Sequence, residues 1–224
     1  MKIAEIWRYP VKTMGGEKLL QADVGPLGIR GDRIVYVENV LGRVITSRSH
    51  PRFLGHKGSL AADDVVMVDG RPWDSPDVAA EIVDIAGQGA RLVCYDGVER
   101  FDVLPLLVAT DGAVAAFGHD LRRLRPNIVI DGVDGLSERS WPGACLRIGK
   151  VLIGVQDLRL RCIMTAYDPD TLVQDNGITR SIYQRFEGKL ALNAFVIEPG
   201  VIAVGDDVQL LPARACADSA SFDE

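Results

Sequence analysis

The chain has 224 residues, 47% of them apolar and 25% charged, and its 31 acidic against 25 basic side chains leave a formal charge of −6. That length accommodates one large domain or two small ones, and the composition is that of a globular protein, not a disordered polymer. The acidic excess argues against general affinity for nucleic acid or an anionic membrane surface, both of which want a basic face.

The N-terminal third reads as strands. Lys2 to Tyr9, Leu19 to Val24 and Arg33 to Val40 are short apolar or alternating segments separated by Gly- and Pro-rich turns, and Val44 to Ser47 returns as a hairpin arm after Leu41-Gly42. Ser75-Pro76 then offers a capping hydroxyl before a proline at the first helical position. Val78, Ala79, Ile82, Val83 and Ala86 follow at helical spacing, with Gly87 as the stop. A second short helix is expected from about Asp111 to Phe117, capped by Thr110 or Asp111, and a third over Thr179 to Glu187. Between and after these helices the strand pattern resumes: Asn127 to Ile130, Cys145 to Ile148, Val151 to Val155, Leu158 to Thr165, Leu192 to Glu198 and Val208 to Leu211. There is no strict βαβ alternation, so a mostly β (α+β) protein with few short helices is expected. The spacing of the N-terminal strands suggests a small barrel or curled sheet. The expected division is 1–90, 91–213 and a fraying tail at 214–224, poor in bulky side chains.

The chain carries few obvious chemical motifs. Cys94, Cys145, Cys162 and Cys216 are dispersed without a C-x-x-C pair, so neither a zinc site nor a disulfide framework is expected. Met1-Lys2-Ile3-Ala4-Glu5 lacks a secretory pattern, no run reaches the ~20 apolar residues of a membrane span, and a reducing cytoplasm fits best. His50, His56 and His119 lack metal-like spacing. Cys162 lies near the end of an apolar segment beside Arg161, whose guanidinium favours the thiolate, the form that attacks and binds metal. Local chemistry alone favours a packed cysteine at that position. Arg122-Arg123-Leu124-Arg125-Pro126-Asn127 gathers three arginines before a strand, a suitable phosphate-binding run or a solvated turn. Thr110-Asp111 is either an anion-binding helix start or an ordinary cap, and capping is the commoner use. Lys12-Thr13 follows Tyr9-Pro10 as a phosphate contact or a polar loop.

Together these segments resemble the MOSC family, in the branch with a MOSC N-terminal β-barrel domain that includes the mitochondrial amidoxime reducing component and its bacterial relatives. The resemblance rests on Tyr9-Pro10-Val11-Lys12-Thr13, Gly31-Asp32-Arg33, Thr46-Ser47-Arg48, Arg125-Pro126-Asn127-Ile128-Val129-Ile130, and Arg161-Cys162 with Thr165 and Asp168-Pro169-Asp170-Thr171. It implies a MOSC-type β-barrel domain packed on a small N-terminal β-barrel-like domain, with a pyranopterin molybdenum cofactor in the cleft between them. By that resemblance Cys162 is the metal-binding and catalytic thiolate. Lys12, Thr13 and Arg33 contact the cofactor phosphate, Arg125 and Asn127 hold the cofactor, and Thr110, Asp111 and Thr165 complete the binding set. A soft thiolate suits a sulfur-ligated metal of high valence.

The implied activity is a molybdenum-cofactor oxidoreductase removing oxygen from N-hydroxylated or N-oxide compounds. The alternative is a cofactor or sulfur carrier without turnover of its own. A cofactor-free fold in which Cys162 is merely packed ranks third. Expected partners are a small-molecule substrate and a separate electron-donor protein, ferredoxin-like or a flavin reductase, because no Cys-rich segment follows the last strand. Neither nucleic acid nor membrane is expected as a partner.

Overall fold

A computed structural model describes residues 1–95 and 97–213. The 214–224 tail expected to fray, and Cys216 within it, lie outside the described residues. The centre of the fold is an open eight-stranded sheet. Its order is Val208–Leu211, Cys145–Ile148, Val151–Leu160, Lys189–Glu198, Leu106–Thr110, Ile128–Asp131, Lys2–Arg8 and Glu17–Leu19. Leu106–Thr110 and Ile128–Asp131 pair in parallel, and the other neighbours pair antiparallel. Ile3 and Ile6 pack with Leu106, Ile128, Leu146 and Ile153 in the largest apolar cluster, and the register shift between Ile3 and Glu5 lets residues three apart face the same side.

The expectation of a mostly β, α+β architecture holds, but the barrels are not closed. The large sheet keeps two distinct ends, and the approach of its margins is limited to the antiparallel bridge between Lys2 and Asp207 with its flanking backbone bonds. The N-terminal part contributes two three-stranded sheets, Arg91–Cys94 with Val35–Glu38 and Val44–Ile45, and Gly58–Leu60 with Val66–Val68 and Arg71–Pro72. Helix α1, Pro76–Ala86, closes their core with Val78 and Ile82, one turn apart on one face. A further small sheet joins distant parts of the chain, since Gln21–Gly25 pairs with Gly200–Ala203.

Most local expectations translate directly, with instructive exceptions. Helix α2 spans Asp111–Phe117, and α3 spans Asn176–Phe186, beginning three residues before Thr179 because Asp175 supplies the cap. Ser75 stands at the α1 N-cap position, yet its buried hydroxyl makes no capping bond; Pro76 starts the helix instead. The two strands expected at 151–155 and 158–165 form one, Val151–Leu160, whose register shifts absorb the polar Gln156-Asp157 interruption. The strand ends before Cys162, which begins a short 3₁₀ turn over Ile163–Ala166. Cys145 is disulfide-bonded, a departure from the expected set of unpaired thiols. No helix among the described residues is long and apolar enough to cross a membrane.

Candidate functional site

Cys162 is exposed and lines a cleft whose walls come from both halves of the chain. Lys12, Thr13, Arg33 and Arg48 belong to the N-terminal part, whereas Arg125, Asn127, Arg159 and Arg161 come from the large sheet and its loops. Seven lining residues are cationic and a single one, Asp102, is anionic. In a chain with net charge −6, that concentration makes the cleft locally electropositive.

The turn that presents Cys162 is secured from below. The amide and hydroxyl of Thr165 both donate to the Cys162 carbonyl, at 3.2 and 3.0 Å. Asp168 accepts from the amides of Asp170 and Thr171 at 3.1 and 2.9 Å and pairs with Arg123 at 2.8 Å. Arg123 in turn donates to the Ala166 carbonyl at 3.1 Å. These contacts explain the Thr165 and Asp168-Pro169-Asp170-Thr171 positions: they hold the loop that carries the thiol, and Thr165 itself lies outside the cleft lining.

Two guanidiniums have unused capacity. Arg125 lies 4.3 Å over the Tyr9 ring, and its side chain donates to no acceptor among the described residues. Burial, reinforced by Arg33, pulls its pKa down to about 10, so it remains charged at neutral pH while missing the counterion that would offset desolvation. Arg161 is buried beside Cys162. One terminal nitrogen donates to the Leu124 carbonyl at 2.7 Å, its Nε is unpartnered, and burial with Arg159 pulls it down to about 10. A buried donor without an acceptor is costly unless a ligand satisfies it. A second cavity, bounded by Trp7, Tyr9, His56 and Lys57, meets this cleft at Arg123, Arg125 and Met164, giving room for an elongated ligand.

The backbone is also strained here. Thr13, Arg33 and Arg125 have φ of 84°, 55° and 56°, a left-handed region that side chains avoid and that is least comfortable for β-branched Thr13. Thr13 is held in place by mutual bonds with Ser47, whose hydroxyl donates to the Thr13 carbonyl at 2.8 Å. Arg33 pairs with buried Asp32, which accepts from the Tyr9 amide at 2.7 Å.

The sequence-derived candidates therefore divide. Cys162, Lys12, Thr13, Arg33, Arg125 and Asn127 share the cleft. Asn127, however, is already occupied: its oxygen accepts from the Leu107 amide at 3.1 Å and from Arg33 at 3.3 Å, and its amide donates to the Trp7 carbonyl at 3.3 Å. Thr110 and Asp111 do not line the cleft. Thr110 caps α2, accepting from the Ala113 amide at 3.1 Å, while Asp111 accepts from the amides of Gly112, Gly132 and Val133. Asp102 and Arg159 belong to no motif of the sequence, and Arg48 enters only within Thr46-Ser47-Arg48. Arg159 and Arg161, two apart on one run, carried a period-two signal of a shared side; Arg48 and Asp102 meet only through the fold. The described residues also bring His56 within 2.8 Å of Asp69 and 3.9 Å of Glu81, but Arg71 already pairs with Glu81 at 2.7 Å, supplying positive charge where a cation would sit.

The comparisons with known proteins converge on these same regions. The profile of the MOSC N-terminal beta barrel domain matches residues 1–96, and that of the MOSC domain matches 111–209. The chain belongs to the MOSC family. Human mitochondrial amidoxime-reducing component 1 is 27% identical over an alignment covering 93% of this chain and 82% of that protein. Human mitochondrial amidoxime reducing component 2 is 26% identical, with coverage of 77% and 68%. The crystal structure of the Bacillus subtilis YuaD protein superimposes with a TM-score of 0.52 at 13% identity, covering 93% of this chain and 94% of that one, which supports the shared MOSC fold. Both human relatives are named for amidoxime reduction.

Proposed function

We propose that this chain is a molybdenum-cofactor oxidoreductase that removes oxygen from N-hydroxylated or N-oxide compounds. The observation that carries the reading is an exposed thiol in a cleft with two guanidiniums, Arg125 without an acceptor and Arg161 with an unpartnered Nε. A pyranopterin phosphate is an acceptor-rich anion, and a dithiolene-bound metal is a soft partner for a thiolate, so the residues present fit the group.

Cys162 would bind the metal. Arg125 and Arg161 would donate to the cofactor's oxygens and nitrogens, and Lys12, Thr13 and Arg33 would flank its phosphate from the opposite wall. Asn127 would act mainly by fixing Arg33. When bound, the cofactor supplies the redox couple for oxygen-atom removal. The protein's part is to position it, to shield it with the Leu106, Leu107 and Leu124 side of the cleft, and to leave an approach past exposed Leu160 and Val103. Electrons would come from a separate ferredoxin-like or flavin-containing donor.

Protein expressed in a cofactor-competent host should contain molybdenum and release pterin on denaturation, and Cys162→Ser should lose the metal. Full metal retention in that variant would remove Cys162 as ligand. Loaded wild-type protein that leaves hydroxylamine- and amidoxime-type substrates untouched, with a competent electron donor present, would reassign it as a carrier.

A further inference from the structure

Lys12, Arg48 and Arg159 converge from three separate parts of the chain on one carboxylate. Asp102 lies 3.0 Å from the Lys12 amine, 2.9 Å from Arg48 and 3.6 Å from Arg159. Burial would raise the Asp102 carboxyl, but Lys12, Arg48 and Arg159 outweigh it and hold it below the usual range. Three cations around one monovalent acid leave the cluster net positive.

The segment bearing that carboxylate is lightly attached. Local backbone bonds from Arg100 to Gly97 and from Phe101 to Val98 are long, at 3.4 and 3.3 Å, and Val98 and Val103 lie exposed. Its firm anchor is Arg100, which is buried, donates to the Leu27 carbonyl at 3.2 Å and stacks on Phe101 at 4.5 Å. Downstream, the strand Leu106–Thr110 fixes the other end. Residues 101–104 thus form a short strap between two fixed points, held to the cleft by the Asp102 ion pairs and, at its Arg100 end, by the 2.9 Å bond from the Lys12 amine to the Arg100 carbonyl.

We propose that Asp102 is a removable stand-in for an incoming phosphate: its carboxylate occupies the Lys12–Arg48–Arg159 cluster in the ligand-free protein, and a phosphate group displaces it and swings the strap outward. A phosphate dianion brings twice the charge and more acceptor oxygens to the same three donors, so it outcompetes a single carboxylate. Arg48 and Arg159 thereby join Lys12 as anion-binding residues. The inference extends the cofactor reading, since a cofactor phosphate is one occupant, but its test does not depend on molybdenum.

Inorganic phosphate titrated into cofactor-free full-length protein by calorimetry at fixed ionic strength should bind Asp102→Asn at least about fivefold tighter than wild type. Arg159→Gln in the Asp102→Asn background should reverse that gain. In wild type, saturating phosphate should accelerate amide hydrogen exchange in residues 101–104, a readout that needs no variant to fold. Equal or weaker phosphate binding by Asp102→Asn, no binding by either protein, or unchanged exchange in 101–104 would each overturn the strap. The two readings fail separately: metal retained by Cys162→Ser defeats the ligand assignment with the phosphate result intact, and a failed titration leaves the thiolate assignment standing.

Discussion

The Cys162 cleft and the start of α2 were both candidates for holding an anion, and they differ in whether their polar groups are already satisfied. At the helix start, the Thr110 hydroxyl caps Ala113 and the Asp111 carboxylate gathers the Gly112 amide of the helix and the Gly132 and Val133 amides of a loop. In the cleft, Arg125 rests on an aromatic ring with its donors unfilled, and Arg161 buries an unpartnered Nε. A helix N-terminus whose amides serve its own turn contributes stability, whereas a buried guanidinium nitrogen without an acceptor, such as Nε of Arg161, reduces stability until a ligand arrives. Residue type is the same kind of signal in both places; residual hydrogen-bonding capacity separates them.

Four substitutions probe that contrast. Asn127→Ala should have the largest effect on folding, about 3 kcal/mol, because it strands the buried Leu107 amide and Trp7 carbonyl and frees Arg33; chemical denaturation measures it, and a loss below about 1 kcal/mol would put Asn127 back among the purely ligand-directed residues. Arg125→Gln should leave stability near wild type yet lower molybdenum occupancy about tenfold or more, since a charge-assisted bond contributes roughly 1.5–3 kcal/mol. Unchanged occupancy would break the distinction drawn above. Thr110→Ala should cost about 1 kcal/mol of stability through the lost cap, with metal content unaltered.

Asp111→Asn should act most weakly and only in acid. Burial alone would raise this carboxyl, but the amides of Gly132, Val133 and Gly112, with a bond shared with Asp131, outweigh it and hold it below the usual carboxylate range. A depressed carboxylate contributes stability above its unfolded value and loses it as pH falls through the folded one. The stability-against-pH curve of Asp111→Asn should therefore fall less steeply below about pH 4 than that of wild type. Parallel acid limbs would show that the carboxylate's charge is not what ties the 132–133 loop to α2.

Periodicity made much of the fold legible. Val78 and Ile82 one turn apart, with Pro76 before and Gly87 after, specify α1, and the short run with Ile3, Ile6 and Trp7 before Pro10 specifies the first strand. Closure is another matter, because whether eight strands join end to end depends on register between segments that local pattern does not encode. The turn at Cys162 was read as strand because Ile163 and Met164 continue an apolar run. Its 3₁₀ geometry comes from Thr165 bonding back to the Cys162 carbonyl and from the Asp168 turn, both visible only when the loop closes. The site was legible where a residue belonged to a local motif, as with Lys12, Arg33 and Arg125. Asp102 lay in an unremarked loop, and its meaning arises from Lys12, Arg48 and Arg159, 90, 54 and 57 residues away along the chain.

The bridging of distant strands also imposes an order in time. Lys2–Arg8 has its partner at Ile128–Asp131, and Gln21–Gly25 must wait for Gly200–Ala203. During synthesis the two small sheets and α1 can consolidate from neighbouring segments, while the first strands stay without these partners until more than a hundred further residues have left the ribosome. Lys12 and Arg33 are therefore made early and Cys162 late. Until the late strands dock, the cleft has only one wall, so a cofactor can be gripped from both sides only near the end of folding, and a ligand that binds both walls would act as the fastener that locks the last step.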